Sequence, residues 1–473
     1  MNTDRLINHL RAGFSLFWLQ TDEPLRVKTK IYSELKEFTR KDGAKYKVSE
    51  WSYGGGKNPM EVLNGYSNGS AEDLQVTFLY NFHWFIDKPE VIQLLQDLPR
   101  ILASRAQAII VVSPFSKIPK ELEKSFVLMK MDLPDEDEIK KVIGFVAPSA
   151  KIVPKEDKLR ALIGACKSLT QTELEQVLAL ALIEADGKGF DLQTVNNYRA
   201  AAIEKTGFVD VLPSDLSFKD VVGYEAFKRF VLETINHPEA KGVIAIGAPG
   251  CGKTSIMKAI VGETGKFGLS INMGKLFSKY QGETERNIEA VISIITSIGD
   301  CFVLIDEFEK QFAGAGSDGS LDSGTTRRAT GRWLDFLQNR PAGVYICATA
   351  NSFRGIPPEF LRPGRWDTSP FHIDLPGDKT REKILLHYLQ KKDMKAPKVL
   401  PNMTDFTGAE IEALVHIASM RGLTLKEASK SIIPQIKTMG EQIIALREWA
   451  ETRCINAEEI ISVKKSSKRA LDI

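Results

Sequence analysis

The segment GAPGCGKT at 247–254 constrains this chain most, because it satisfies GxxxxGK[ST] and stands between the apolar run VIAIG at 243–247 and the helical pattern SIMKAIV at 255–261. A buried strand that turns through glycines into a helix aims successive backbone N–H groups at phosphate oxygens. Gly247, Gly250 and Gly252 give the backbone the angles such a turn needs. Lys253 adds a point charge toward the β- and γ-phosphates, Thr254 offers its hydroxyl to magnesium, and the helix N-terminus adds positive potential. Pro249, Gly250, Cys251, Gly252, Lys253, Thr254 and Ser255 therefore form the expected ATP-binding stretch.

A second element fits the first. The apolar residues Phe302 to Ile305 lead into Asp306 and Glu307, which puts two carboxylates at the C-terminal end of a buried strand. Ligands of open α/β sheets bind at that end. Asp306 is expected to hold Mg2+ through its water shell, and Glu307 to orient and polarise the attacking water, because phosphoryl transfer needs positioning more than covalent help.

Strand-like runs alternate with helical patterns through the whole chain. FSLFWLQ (14–20), VTFLYNF (76–82), AIIVVS (108–113) and FVLMKM (126–131) fall in the first half; VIAIG, CFVLIDE (301–307), VYICATA (344–350) and FHIDL (371–375) fall in the second. This predicts an α/β fold with largely parallel sheets, in two units. Asp132, Leu133 and Pro134 follow the last run of the first half as Asp374, Leu375 and Pro376 follow that of the second. TQTELE at 170–175 and TGAEIE at 407–412 then each open an amphipathic helix, which indicates a duplicated module. The first copy lacks the phosphate loop: its opening strand runs into TDEPLR, and its counterpart of the acidic strand ends NFHWFID. Gly54, Gly55, Gly56 and Lys57 have no flanking strand and no following hydroxyl residue, so they are expected to form a turn. The first unit is expected not to hydrolyse ATP.

The expected organisation is a degenerate module at 1–209, a linker at 210–217 within DVLPSDLSF, a P-loop large subdomain at 218–375, a helical lid at 376–435, and a C-terminal helix with a basic tail at 436–473. A chain of 473 residues exceeds one ordinary core, which agrees with several domains. The formal net charge of +2 gives no bulk reason for a nucleic-acid or membrane partner. Five scattered cysteines without a CxxC pair are expected to be buried reduced thiols. No apolar stretch has the length of a membrane span, and the N-terminus lacks a signal-peptide pattern, so a cytoplasmic location is expected.

From about Phe218 to Arg421 the chain resembles the AAA+ ATPases with a second region of homology, such as katanin, the FtsH proteases and Cdc48-like unfoldases. The resemblance implies that Val222 and Gly223, in FKDVVGYEAFKRFV, border adenine, and that Gly408 and Ala409, in TGAEIE, approach adenine and ribose. It makes Asn351 the sensor residue that reaches the γ-phosphate and water, and Arg362 and Arg365, in FLRPGRWD, fingers that enter a neighbouring subunit's site. KLFSKYQGETERN at 275–287 is similar to the first pore loop, with Tyr280 as the gripping aromatic between Lys279 and Gln281. AGAGSDGSLDSGTT at 313–326 takes the place of the second pore loop, followed by Arg327 and Arg328. One departure is local: LLHYL puts Tyr388 where family members often carry a ribose-contacting histidine, with His387 one place earlier. The duplicated layout, the degenerate first unit and the ending IIALREWAETR resemble the hypothetical chloroplast reading-frame AAA proteins of cyanobacteria, plastids and other bacteria.

These features predict an ATP- and magnesium-dependent ring, a homo-hexamer, that unfolds or remodels a protein partner through a central pore. One alternative is an ATP-driven switch that reshapes a bound complex without threading it. Another is a nucleic-acid-associated ATPase, which neither the charge balance nor any helicase motif favours. A slow nucleotide-gated scaffold is the least active reading.

Overall fold

All eight apolar runs become strands, and each half of them builds its own sheet. The structure is a computed structural model describing residues 3–55, 58–69, 71–147, 152, 154–276, 283–311, 323–354, 356–362, 364–397 and 399–458. The chain forms two compact units, Met1–Asn196 and Asn197–Ile473.

In the first unit, β1 (Leu16–Gln20), β2 (Lys47–Ser52), β3 (Gln75–Tyr80), β4 (Ala108–Ser113) and β5 (Val127–Lys130) form a parallel sheet in the order β2-β3-β4-β1-β5. Alternate residues of a strand face opposite sides. Accordingly Phe17, Leu19, Phe78 and Ile110 enter one core, while Trp18, Leu79, Ile109 and Val111 enter the other. Every residue of β4 is buried, as a strand covered by helices on both faces requires.

The second unit contains β6 (Val209–Val211), β7 (Gly242–Gly247), β8 (Phe267–Ile271), β9 (Cys301–Ile305), β10 (Val344–Ala350), β11 (Phe371–Ile373) and β12 (Ile455–Asn456). Their order is β12-β11-β7-β10-β9-β8-β6, parallel except for β6 against β8. Without its two edge strands this sheet reads β8-β9-β10-β7-β11, the same winding as the first. The repeated helix openings also coincide, since Thr170 with Glu173 and Thr407 with Glu410 each close a capping box. Helices Asp378–Lys391, Gly408–Arg421 and Leu425–Ser429 form a lid with a separate apolar cluster around Leu385, Leu389, Ile411 and Leu414.

The boundary after the first unit differs from expectation. The units divide at Asn196 rather than at 209, and the first two residues of the expected linker belong to β6, whose Val209 joins the second unit's core. The C-terminal helix Ile436–Glu451 begins where expected, and it packs on the second unit: Ile443 and Leu446 enter the two cores beside the sheet, and Arg447 Nε donates to both carboxylate oxygens of Asp374 at 2.9 Å. The chain then adds β12 to the sheet, and the Ala457 carbonyl accepts the N–H groups of Ala226 and Phe227 in the first turn of helix Glu225–Thr234. Residues 459–473 lie outside the described residues. None of the five cysteines forms a disulfide, and four of them are buried. Among the described residues no helix is long and apolar enough to cross a membrane.

Candidate nucleotide site

The ends of β7, β9 and β10 meet the lid around a cavity of about 320 Å³. From the phosphate loop come Pro249, Gly250, Gly252, Lys253, Thr254 and Ser255; Asp306, Glu307 and Asn351 come from the two strands beside it. Val222, Gly408 and Ala409 close the remaining side. Residues separated by more than a hundred positions in the sequence thus converge where sequence reasoning expected a nucleotide.

Gly250 and Gly252 have φ of +74° and +81°, the left-handed region that the turn needs and glycine permits. Gly252 caps helix Lys253–Thr264, whose first N–H groups face the loop. Ala409 donates its N–H to the Gly250 carbonyl at 3.1 Å, which ties the lid to the phosphate loop. Cys251 is buried, and its carbonyl accepts the Tyr224 hydroxyl. Gly223, with φ of +93°, lies beside the Glu458 carboxyl and the Thr380 methyl.

Lys253 is 6% exposed and donates to the Gly247 and Ala248 carbonyls at 2.8 Å each. Burial lowers its pKa from the ordinary lysine range, while the carboxyls of Glu309, Asp306 and Glu307 work in the opposite sense. A polyphosphate chain fits this donor set: it brings negative charge to a desolvated ammonium, a helix N-terminus and a turn of inward N–H groups. The Thr254 hydroxyl lies 3.2 and 3.0 Å from the two oxygens of Asp306, the hydroxyl-and-carboxylate pairing suited to a hydrated magnesium ion.

Glu307 has φ of +50°, unusual outside glycine, which turns its side chain out of the strand line. Asn351 Nδ2 donates to Glu307 Oε1 at 3.2 Å. Glu309, 6% exposed, accepts the Asn351 N–H at 2.9 Å, and burial raises its pKa against that hydrogen bond. His387 and Tyr388 both line the cavity with Glu412; burial first, then the Glu412 charge, push the Tyr388 phenol up to about 12.

The remaining expected residues stand elsewhere. Arg362 is exposed, and Arg365 donates to the Glu359 carbonyl; neither lines the cavity of its own chain. Lys279, Tyr280 and Gln281 lie outside the described residues, as do 312–322 and the side chains of Arg327 and Arg328. Gly54 and Gly55 belong to a short turn, as expected, but β2 directly precedes it, so the flanking strand that the sequence pattern did not show is present; Gly56 and Lys57 lie outside the described residues.

Sequence patterns did not single out Tyr224, Thr349, Glu309 or Glu412. Thr349 is 1% exposed on β10; it donates to Asp306 Oδ1 and accepts the Glu307 N–H at 3.1 Å. A threonine in an apolar strand carries no signal of this until the register of β9 against β10 is known.

The first unit fills the corresponding place with its own charges. Arg26 stands six residues past the end of β1, as Lys253 stands six past β7. Its guanidinium is 5% exposed and reaches Glu23 at 3.0 Å, Glu138 at 2.6 Å and the Asp132 carbonyl at 2.6 Å. Glu23 accepts the Gln171 N–H at the start of helix Gln171–Glu184. A carboxylate therefore meets the helix N-terminus in this unit, and the left-handed turn residue after β3 is Asn81, an amide without the charge of Glu307. Burial works to raise the Glu138 pKa, but the Lys30 ammonium and Arg26 guanidinium outweigh it and hold it below its ordinary range.

Removing one member of a buried ion network leaves the others uncompensated. Arg26→Ala should therefore destabilise the first unit by about 3–5 kcal/mol, seen in calorimetry of the whole chain as a transition shifted down by roughly 6–20 °C. The Glu138 part of this stability is present above its unfolded pKa and lost as pH falls through the depressed folded value, so the gap between wild type and variant should narrow as the solution is acidified below the ordinary glutamate range. A gap below about 2 °C at neutral pH would show that the network contributes little.

Comparison with known proteins agrees with this geometry. Residues 243–371 match the family model described as ATPase family associated with various cellular activities (AAA), and residues 2–131 match that of the SpoVK-like AAA ATPase, N-terminal domain. Residues 243–371 thus form an AAA ATPase domain, and the protein is an ATPase. Along nearly its whole length it is similar to proteins named Uncharacterized AAA domain-containing protein ycf46: 28% identical to that of Guillardia theta over 93% of each chain, and 25% identical to that of Trieres chinensis over 95% of this chain and 96% of the relative. It is also 27% identical to the Cell division cycle protein 48 homolog of Archaeoglobus fulgidus, over 53% of this chain and 35% of that one.

Proposed function

We propose that the protein works as a homo-hexameric ring that uses ATP, with magnesium, to unfold or remodel a protein partner. The observation that carries this reading is the position of Arg362 and Arg365, which lie outside the cavity formed by their own chain. Among the described residues that line the cavity Lys253 is the one lysine or arginine, and it serves the bound phosphates, so a second cation is needed for the charge that develops on the transferred phosphoryl group. A neighbouring subunit would supply it.

In this reading Thr254 and Asp306 hold magnesium, which neutralises phosphate charge. Lys253 and the loop N–H groups orient the β- and γ-phosphates. Glu307 accepts a hydrogen bond from the attacking water and is itself held by Asn351. Val222, Gly223, Gly408 and Ala409 enclose adenine and ribose, so that nucleotide occupancy is felt by the lid through the hydrogen bond from Ala409 to Gly250. Lid movement against the large subdomain is then the mechanical output, and Lys279, Tyr280 and Gln281 the point where substrate is gripped. Similarity to a Cdc48 homolog supports this output over a nucleic-acid motor.

Tyr280→Ala separates threading from switching. With threading, the variant retains ATPase activity within about 3-fold of wild type yet loses ATP-dependent unfolding of a tagged fluorescent reporter protein. Full unfolding activity in the variant would remove the pore from the mechanism and leave the switch.

A further inference from the structure

We infer that Thr349 is a positioning residue for ATP hydrolysis, one hydroxyl that fixes Asp306 and Glu307 together. The register of the sheet brings it there: Ile305 of β9 pairs with Ala348 of β10, so the next residues along, Asp306 and Thr349, stand side by side at the carboxyl ends of their strands. A hydroxyl has one proton to donate and two lone pairs with which to accept. The Thr349 proton goes to Asp306 Oδ1, and a lone pair receives the Glu307 N–H at 3.1 Å.

Both partners need such restraint. Asp306 is held from the other side by the Thr254 hydroxyl, at 3.0 Å from Oδ2, so its carboxylate sits between one hydroxyl from the phosphate-loop helix and one from β10. Glu307 adopts φ of +50°, a conformation that persists only where the surroundings impose it. The hydrogen bond from its own N–H to Thr349 is the restraint nearest that bend. Two residues beyond Thr349, Asn351 holds the Glu307 side chain at 3.2 Å. The end of β10 thus controls Glu307 twice, its backbone through Thr349 and its carboxylate through Asn351. A strand filler at this buried position would require only the shape of valine, and the hydroxyl is what the acidic pair uses.

The near-isosteric T349V leaves the Glu307 N–H and one Asp306 oxygen without this partner. In the full chain, at protein concentrations where the rate per subunit is constant, kcat should fall about 10- to 100-fold while KM for ATP moves less than about 3-fold. T349S, which keeps the hydroxyl, should stay within about 3-fold of wild type. A readout independent of turnover follows Asp306: the magnesium concentration that half-saturates the magnesium-dependent change in fluorescent-ADP binding should rise about 3-fold or more in T349V. An unchanged kcat in folded T349V overturns the assignment for Glu307, and an unchanged magnesium midpoint overturns it for Asp306. If valine prevents folding, T349S and T349A decide instead: higher kcat in the serine variant supports the role, and equal rates in the two overturn it.

Discussion

Glu307→Gln should keep ATP bound and lower its turnover about 10²- to 10⁴-fold, the range expected when a positioned group that accepts a proton in the transition state is removed. Glutamine has nearly the same shape, and its amide oxygen can still accept from Asn351 Nδ2, now 3.2 Å from Glu307 Oε1. The backbone bond to Thr349 does not depend on the side chain. What disappears is the negative charge that in the proposed mechanism would polarise water, together with the ion pair to Lys310 three residues on. That pair joins two half-exposed side chains and contributes little to stability, so the variant should melt as the wild type does. Single-turnover measurement with radiolabelled ATP checks the prediction: nucleotide recovered from the quenched protein should be ATP for the variant and ADP for the wild type. Wild-type hydrolysis by the glutamine variant would show that another group orients the water.

The parts of the candidate site that lie in contiguous residues were legible from sequence. The phosphate loop declares itself because a glycine turn, a lysine and a hydroxyl must follow a strand at fixed spacing, and Asp306 with Glu307 because an apolar run must end where they begin. The duplication was legible from the two DLP segments and the two capped helices, and the matching strand order makes it physical. What escaped notice depends on pairing between distant segments. β2 and β8 gave weak patterns, since KVSEWS is mostly exposed or half-exposed and FGLSI contains a glycine. β6 and β12 have three residues and two, too few for any periodicity to register. Thr349 and Tyr224 act through single hydroxyls whose partners lie 43 and 27 positions away. Glu23 and Arg26 looked like an ordinary charged loop, and only the fold shows them standing where the second unit keeps its phosphate loop.

Arg362 and Arg365 carry the largest expected effect, because they test assembly and chemistry together. An arginine that reaches the transferring phosphoryl group stabilises charge absent from the ground state and is worth roughly 10³- to 10⁵-fold in rate. The double variant Arg362→Ala, Arg365→Ala should therefore bind ATP with affinity near that of wild type and turn it over at least about 10³-fold more slowly. Arg365 also donates to the Glu359 carbonyl within its own chain, so a local folding role must be separated from a role across a subunit boundary. Mixing makes that separation. Lys253→Ala subunits bind no nucleotide but keep intact arginines; double-variant subunits keep an intact phosphate loop but lack the arginines. A mixed ring contains interfaces at which the phosphate loop of one faces the arginines of the other, and only there is a complete site rebuilt. ATPase activity should therefore return on mixing, rise with the fraction of Lys253→Ala subunits to a maximum, and fall as loops become scarce. A loss caused by local misfolding gives no recovery at any ratio. Rings shown by native mass spectrometry to be mixed yet still inactive would place the missing cation elsewhere, and a wild-type rate per subunit that stays constant down to concentrations where only monomer is present would remove the neighbour from catalysis.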